Sequence, residues 1–189
     1  MTTATDVFLA LAELMPRQIF TTIYYQPRSG AVARARAAGL PLAPILLDVS
    51  PDAPEGRVPA HEVALFMGRL RLGPGEVVAL GSRLWWGGGH LLLLDFAIPC
   101  STQAQDELVG YLQECGWRGW LLESGASYHF IGATPMDPPA WRREMARALL
   151  VPGIDVRYMG HALHREMGAV RLTACPLKPT VPFVVAVLS

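Results

Sequence analysis

An α+β fold built on a βαββαβ sheet with helices on one face is what this sequence predicts, on three observations. Strand-like and helix-like stretches follow one another in that order between Leu91 and Ala174. Inside those strands the side chains sort by alternation into an apolar face and a face carrying Asp, Ser, His and Arg. The chain has 189 residues of which 51% are apolar, enough for one sizeable core and short for two independent ones. The expected organisation is one domain over 1–189, with an α/β N-terminal part at 1–85 and a motif-bearing part at 86–189.

In the N-terminal part, residues 6–15 carry Val7, Leu9, Leu11 and Leu14, with Thr5 as cap and Pro16 as stop, and predict a helix. The β-branched and aromatic run 19–25 predicts a strand. Alanine-rich 28–39 predicts a helix, 45–49 a short strand, and proline-rich 51–59 a loop. Helix 61–72 and strand 75–83 follow.

The motif-bearing part opens with a strand at 91–98, and Ser101 caps a helix running to about Cys115. Strands at 117–123 and 127–133 flank the Ser124-Gly125 turn. Asp137-Pro138-Pro139 starts a helix that Pro152-Gly153 breaks near Val151. A short helical piece at 157–165, a strand at 169–174 and a last strand at 181–188 complete the chain. This order is that of ferredoxin-like and RNA-recognition folds, in which the first and third strands are central neighbours.

Alternation then assigns faces. Leu92, Leu94, Phe96 and Ile98 point to the helices, and so do Tyr128, Phe130, Val170 and Leu172. Asp95, Ser127, His129 and Arg171 share the open face with Leu91 and Leu93, whose apolar surface the N-terminal part would cover. A carboxylate set among leucines on a central strand needs a partner or a metal ion, and an imidazole and a guanidinium are natural partners. A satisfied structural network of Asp95, His129 and Arg171 is the alternative to a functional site.

Three stretches in order on this scaffold resemble the archaeo-eukaryotic primase superfamily, the catalytic domain of primase-polymerases. Leu91 to Phe96 followed by Ala97 resembles its apolar strand ending in two acids one residue apart. Ser124-Gly125-Ala126-Ser127-Tyr128-His129 resembles its Gly-rich turn leading to Ser-x-His. Asp155, then Arg171-Leu172-Thr173 through Lys178, resembles its third acid and following basic residues. The resemblance spans roughly 80–180. It implies catalytic roles for Asp95, Asp155 and His129, with Asp95 and Asp155 as ligands of a divalent ion, magnesium or manganese. It implies that Ser127 and His129 face a nucleoside triphosphate while Arg171 and Lys178 hold phosphates, with DNA or RNA as partner.

The departure is Ala97, which stands where the family has its second acid. Two-metal phosphoryl transfer needs several oxygen ligands around the attacking and leaving oxygens. The expectation is therefore nucleotide or nucleic-acid binding with weakened or lost nucleotidyltransferase activity.

Composition narrows the alternatives. Sixteen basic residues balance sixteen acidic ones, so no global basic surface argues for nucleic acid. Three scattered cysteines and the lack of a signal or membrane-length apolar segment predict a cytoplasmic protein without a membrane partner. His161-x-x-His164, with Asp95 and His129, would suit a zinc-dependent hydrolase, and a non-catalytic protein-interaction module is the third reading. Ser127 and His129 lie two apart on one strand, a poor geometry for a Ser/His nucleophile, and no G-x-S-x-G elbow is present. Trp85-Trp86-Gly87-Gly88-Gly89-His90 reads as a glycine-rich loop with a packed Trp, or as a platform for base stacking. Arg142, Arg143 and Arg147 read as a solvated helix face or as a phosphate track.

Overall fold

The computed structural model of the chain describes residues 1–25, 55–73, 75–176 and 178–189. The helix expected at 28–39, the strand at 45–49 and the start of the 51–59 loop lie outside the described residues.

Helix α1 (Ala4–Leu14) begins two residues earlier than Thr5 would set it. Thr3 is the cap, because Thr3 and Asp6 satisfy each other's backbone N–H groups reciprocally. Strand β1 (Ile19–Tyr25) then pairs antiparallel with β2 (Glu55–Pro59), so the second half of the expected loop is an edge strand. Pro59 ends that strand, where its missing N–H costs no ladder bond. A 3-10 turn (Ala60–Glu62) leads into α2 (Val63–Arg69), and β3 (Val77–Leu84) pairs with the other edge of β1.

Next come β4 (Leu93–Asp95), α3 (Thr102–Glu114), β5 (Gly119–Glu123) and β6 (Tyr128–Gly132). Helices α4 (Pro138–Ala148) and α5 (Val156–Arg165) and strands β7 (Ala169–Arg171) and β8 (Phe183–Leu188) follow. Ser101 and Asp137 cap α3 and α4 as their sequence positions predict.

The strands form two antiparallel sheets ordered β2-β1-β3-β7 and β4-β6-β5-β8. The α+β class and the β4-β6 neighbourhood are as expected. The fourth strand is not where the βαββαβ order puts it. Strand β7 pairs with β3 in the first sheet, and β8 takes the far edge of the second. The backbone accounts for this. Ser82 N–H donates to Gly168 O at 2.8 Å and Leu172 N–H to Val78 O at 2.9 Å, so 168–172 spends its ladder on β3.

The face assignments hold for the second sheet. Leu92, Leu94, Phe96, Tyr128 and Phe130 bury against Leu108, Leu112, Trp141 and Met145 of α3 and α4. Leu91, Leu93 and Ile131 bury on the other side, against Phe8, Phe20, Val78 and Leu80 of the N-terminal part. Val170 and Leu172 join that second cluster, because β7 belongs to the first sheet. The apolar surface between the sheets thus fixes their junction, and polar side chains gather at its edge. Among the described residues, no helix is long and apolar enough to cross a membrane.

Candidate functional site

Asp95 ends β4 and lies in register with His129 on β6. Side chains of directly opposed residues share a face, and His129 Nε2 stands 3.4 Å from Asp95 Oδ1. The imidazole is nearly enclosed, and its Nδ1 has no hydrogen-bond partner among the described residues. Burial, with Arg171 and Lys178 nearby, lowers the His129 pKa to about 3, so the ring is neutral. Burial and the neighbouring Asp155 raise Asp95 to about 7, against the opposing pull of Lys178 and Arg171. The pair is a weakly acidic carboxyl beside a neutral imidazole.

Asp155 arrives from a different direction. Its backbone N–H donates to Asp95 O at 2.9 Å, which sets the two acids side by side. Its carboxylate is the cap of α5, with Oδ1 accepting from Arg157 N–H at 2.9 Å and Tyr158 N–H at 3.0 Å. Tyr158, one turn into that helix, donates its hydroxyl to Leu93 O at 2.8 Å, and burial with the nearby Asp95 raises its pKa. Tyr25, pushed up to about 12 chiefly by burial, feels both Arg171 and Asp95. Sequence reading missed both tyrosines. Neither stands in a motif: Tyr25 comes toward Asp95 from the first sheet, and Tyr158 on α5, which packs on β4.

Arg171 reaches the site from the first sheet. Its Nη1 donates to Thr173 O and Thr180 O, both at 2.6 Å, and its Nη2 donates to Ser124 O at 2.7 Å. These bonds tie the segment 173–180 to the turn after β5. The turn receives it closely. Gly125 has φ of +106°, and a Cβ there would lie 3.0 Å from Thr180 Oγ1. Ser124 Oγ donates to Ser127 O at 3.0 Å and lies 3.3 Å from Ser127 Oγ, which closes the turn. Backbone bonds of 2.9 Å in both directions between Cys175 and Lys178 make a small loop that presents Lys178, an exposed ammonium.

Asp95, His129, Arg171, Lys178 and Asp155 therefore meet at the junction of the sheets, and Ser127 lies in the turn whose Ser124 carbonyl Arg171 holds. Arg171 does so by crossing from one sheet to the other, not as a neighbour in a common sheet. His161 and His164 do not join the Asp95–His129 pair in a metal site. Among the described residues no three His, Cys, Asp or Glu side chains gather closely enough to hold a metal ion, so the zinc-hydrolase reading has no ligand set.

The AEP-like family, described as archaeo-eukaryotic primase 1D-like, matches residues 64–180. The chain belongs to this family. Among solved structures, the AEP domain of the cyanophage S-2L primase-polymerase (PrimPol) is similar in fold. The identity is 17% over 96% of this chain and 89% of that one, with a TM-score of 0.50. Comparison with curated proteins gives no match.

The two divalent ions that primase-polymerase chemistry implies can be tested against the donors present in this AEP-like chain. Ala97 offers no ligand, and its N–H is spent on Gly153 O at 2.7 Å. Asp155 already engages its Oδ1 as a helix cap, with Arg157 and Tyr158 N–H groups donating to it. Asp95 and Asp155 alone are too few oxygen ligands for a cage around two ions.

Proposed function

We propose that this AEP-like domain binds a nucleoside triphosphate, or the phosphates of a nucleic acid, at the junction of its sheets, with nucleotidyltransferase activity weakened or lost. One observation carries the reading. In a chain of the primase family, the Ser124–Ser127 turn, the neutral His129 and the exposed Lys178 converge on one edge, where Lys178 and Arg171 set a positive field over Asp95 and His129. Lys178 supplies a mobile point charge to phosphate oxygens, as an ammonium on a flexible stem does. The neutral His129 has its Nδ1 buried and presents Nε2 on the Asp95 side, and Ser127 offers its hydroxyl. Arg171 positions the others, since Nη1 and Nη2 already donate to carbonyls. The acids play no ligand role here. Asp95 titrates near neutrality, where a phosphate beside it would favour its protonated form, and Asp155 holds α5.

Titration of a fluorescent ATP analogue tests this at pH 7.5 and low salt, once with manganese and once with a chelator. The expected result is saturable binding that differs by less than about twofold between the two conditions, survives Asp95→Ala, and weakens about tenfold in Lys178→Ala. Binding that requires manganese and vanishes in Asp95→Ala would restore the metal role to Asp95. No saturation in either condition would remove the phosphate site altogether.

A further inference from the structure

A second cluster lies at the other end of β4 from Asp95, and nothing in the phosphate site uses it. Strands β1 and β3 lose register between Phe20 and Thr21, whose partners are Leu84 and Gly81, so Ser82 and Arg83 form a bulge. Bulges bend a strand and re-aim its side chains. Thr21 Oγ1 closes this one by donating to Arg83 O at 2.7 Å. Beyond it the chain turns through Trp85 and Trp86. Trp85 N–H donates to Ile19 O at 3.0 Å, and Trp86 N–H to Gln18 Oε1 at 3.0 Å. The backbone under both indoles is therefore fixed.

The two rings have different surroundings. The Arg57 guanidinium lies 3.4 Å from the centre of the Trp85 ring, with Arg83 on a looser contact at 6.0 Å. Trp85 Nε1 is buried without a hydrogen-bond partner among the described residues. Trp86 is 63% exposed, the most exposed Trp, Tyr or Phe of the described residues, and side chains added at Gly87 or Gly88 would meet nothing within 4 Å. The indole thus stands bare on a rigid turn. The charged side chains over the adjacent Trp85 are cationic. Glu55 pairs with Arg83 at 3.9 Å, whereas Arg57 has no carboxylate partner among the described residues, and exposed Arg17 precedes Gln18.

From this juxtaposition we infer that the Trp85–Trp86 turn is a stacking platform for single-stranded nucleic acid. A base stacks on Trp86, and Arg57 and Arg17 meet the flanking phosphates. A rigid exposed aromatic ring beside guanidinium groups suits an unpaired base, because every base has a π-face and every linkage a negative charge. A duplex keeps its bases stacked internally and offers Trp86 no face. The inference rests on the proposed nucleotide or nucleic-acid function and adds a separate surface to it.

Fluorescence anisotropy of a labelled ten-thymidine oligonucleotide tests it on the full chain, alongside the ATP-analogue titration. Binding is expected to weaken about tenfold in Trp86→Ala, the scale of one lost base stack, and several-fold in Arg57→Gln. Both variants keep wild-type affinity for the ATP analogue and a wild-type thermal melt. A hairpin duplex of equal charge binds more weakly and is indifferent to Trp86→Ala. Equal oligonucleotide affinity in wild type and both variants overturns the platform, as does no oligonucleotide binding at low salt while the ATP analogue binds. Self-association that Trp86→Ala abolishes, with no oligonucleotide bound, overturns it in favour of a protein contact. Trp86-dependent oligonucleotide binding without any ATP-analogue binding upholds the platform and removes the phosphate site instead.

Discussion

At the residue scale, Asp95 and His129 perturb stability in opposite senses, and the signs make a prediction. Asp95 is raised from 3.8 to about 7, so the fold favours its proton; that contribution is complete below pH 3.8 and is lost as pH rises through 7. His129 is lowered from 6.5 to about 3, so the fold favours the neutral ring; that contribution is complete above pH 6.5 and is lost as pH falls through 3. Between about pH 4 and 6.5 the unfolded chain carries one proton on His129 and the folded chain one on Asp95. The counts match, and the pair contributes no slope. Relative to wild type, His129→Gln should lose about 1 kcal/mol per pH unit as pH rises across this window, and Asp95→Asn a similar amount as pH falls. Urea denaturation at three pH values inside the window reads both slopes, and variants running parallel to wild type would refute the proton count. The pair was legible in the sequence because alternation on two adjacent strands fixes which residues oppose. The role of Asp155 was not. An acid at a helix start is read equally well as cap or as ligand until Arg157 and Tyr158 N–H groups are seen pointing at its Oδ1.

At the scale of elements, Arg171 is the strap between the sheets. Its guanidinium donates to Thr173, Thr180 and Ser124 carbonyls, which draw together β7, the segment bearing Lys178 and the β5–β6 turn. A lysine ammonium has one nitrogen on a shorter reach and cannot occupy both the Nη1 and Nη2 positions that these bonds use. Arg171→Lys should therefore cost about 2–4 kcal/mol in urea denaturation, the scale of charged hydrogen bonds lost from buried carbonyls. Hydrogen exchange at the Lys178 amide, now bonded to Cys175 O, should accelerate, and ATP-analogue affinity should fall as Lys178 loses its seat. Unchanged exchange at that amide with weakened nucleotide binding would return Arg171 to direct phosphate contact. Sequence reading placed Arg171 beside His129 by the wrong path. Ala169–Arg171 is too short for its alternation to name a partner. Val170 and Leu172 bury equally well under helices or between sheets, and the free edge of β3 took the strand.

At the scale of the whole molecule, the two sheets share one core although their strands do not pair as one. Leu91 and Leu93 of the second sheet, Val170 and Leu172 of β7, and Phe8, Phe20 and Leu80 of the N-terminal part are all buried in a single cluster. The sequence showed that Leu91 and Leu93 needed a cover, since two leucines on the open face of a sheet would otherwise meet water. It could not show how the cover was built, because that depends on β3 and β7 meeting across about half of the chain. Neither part can keep its apolar face dry alone, so unfolding is expected to be one cooperative transition over 1–189. Leu93→Ala should cost about 2–5 kcal/mol through the cavity it opens in that cluster and should lower the midpoint without splitting the transition. A fragment of 86–189 should expose the same face, bind a hydrophobic dye and melt without cooperativity. Far-ultraviolet circular dichroism and tryptophan fluorescence followed together decide it, since Trp85 reports the N-terminal part through Arg57 on β2, and Trp117 and Trp141 report the helical face. Coincident curves support one unit; two midpoints, or a fragment that melts sharply, would mean that the second sheet folds independently and that the site at the junction forms only when two finished halves dock.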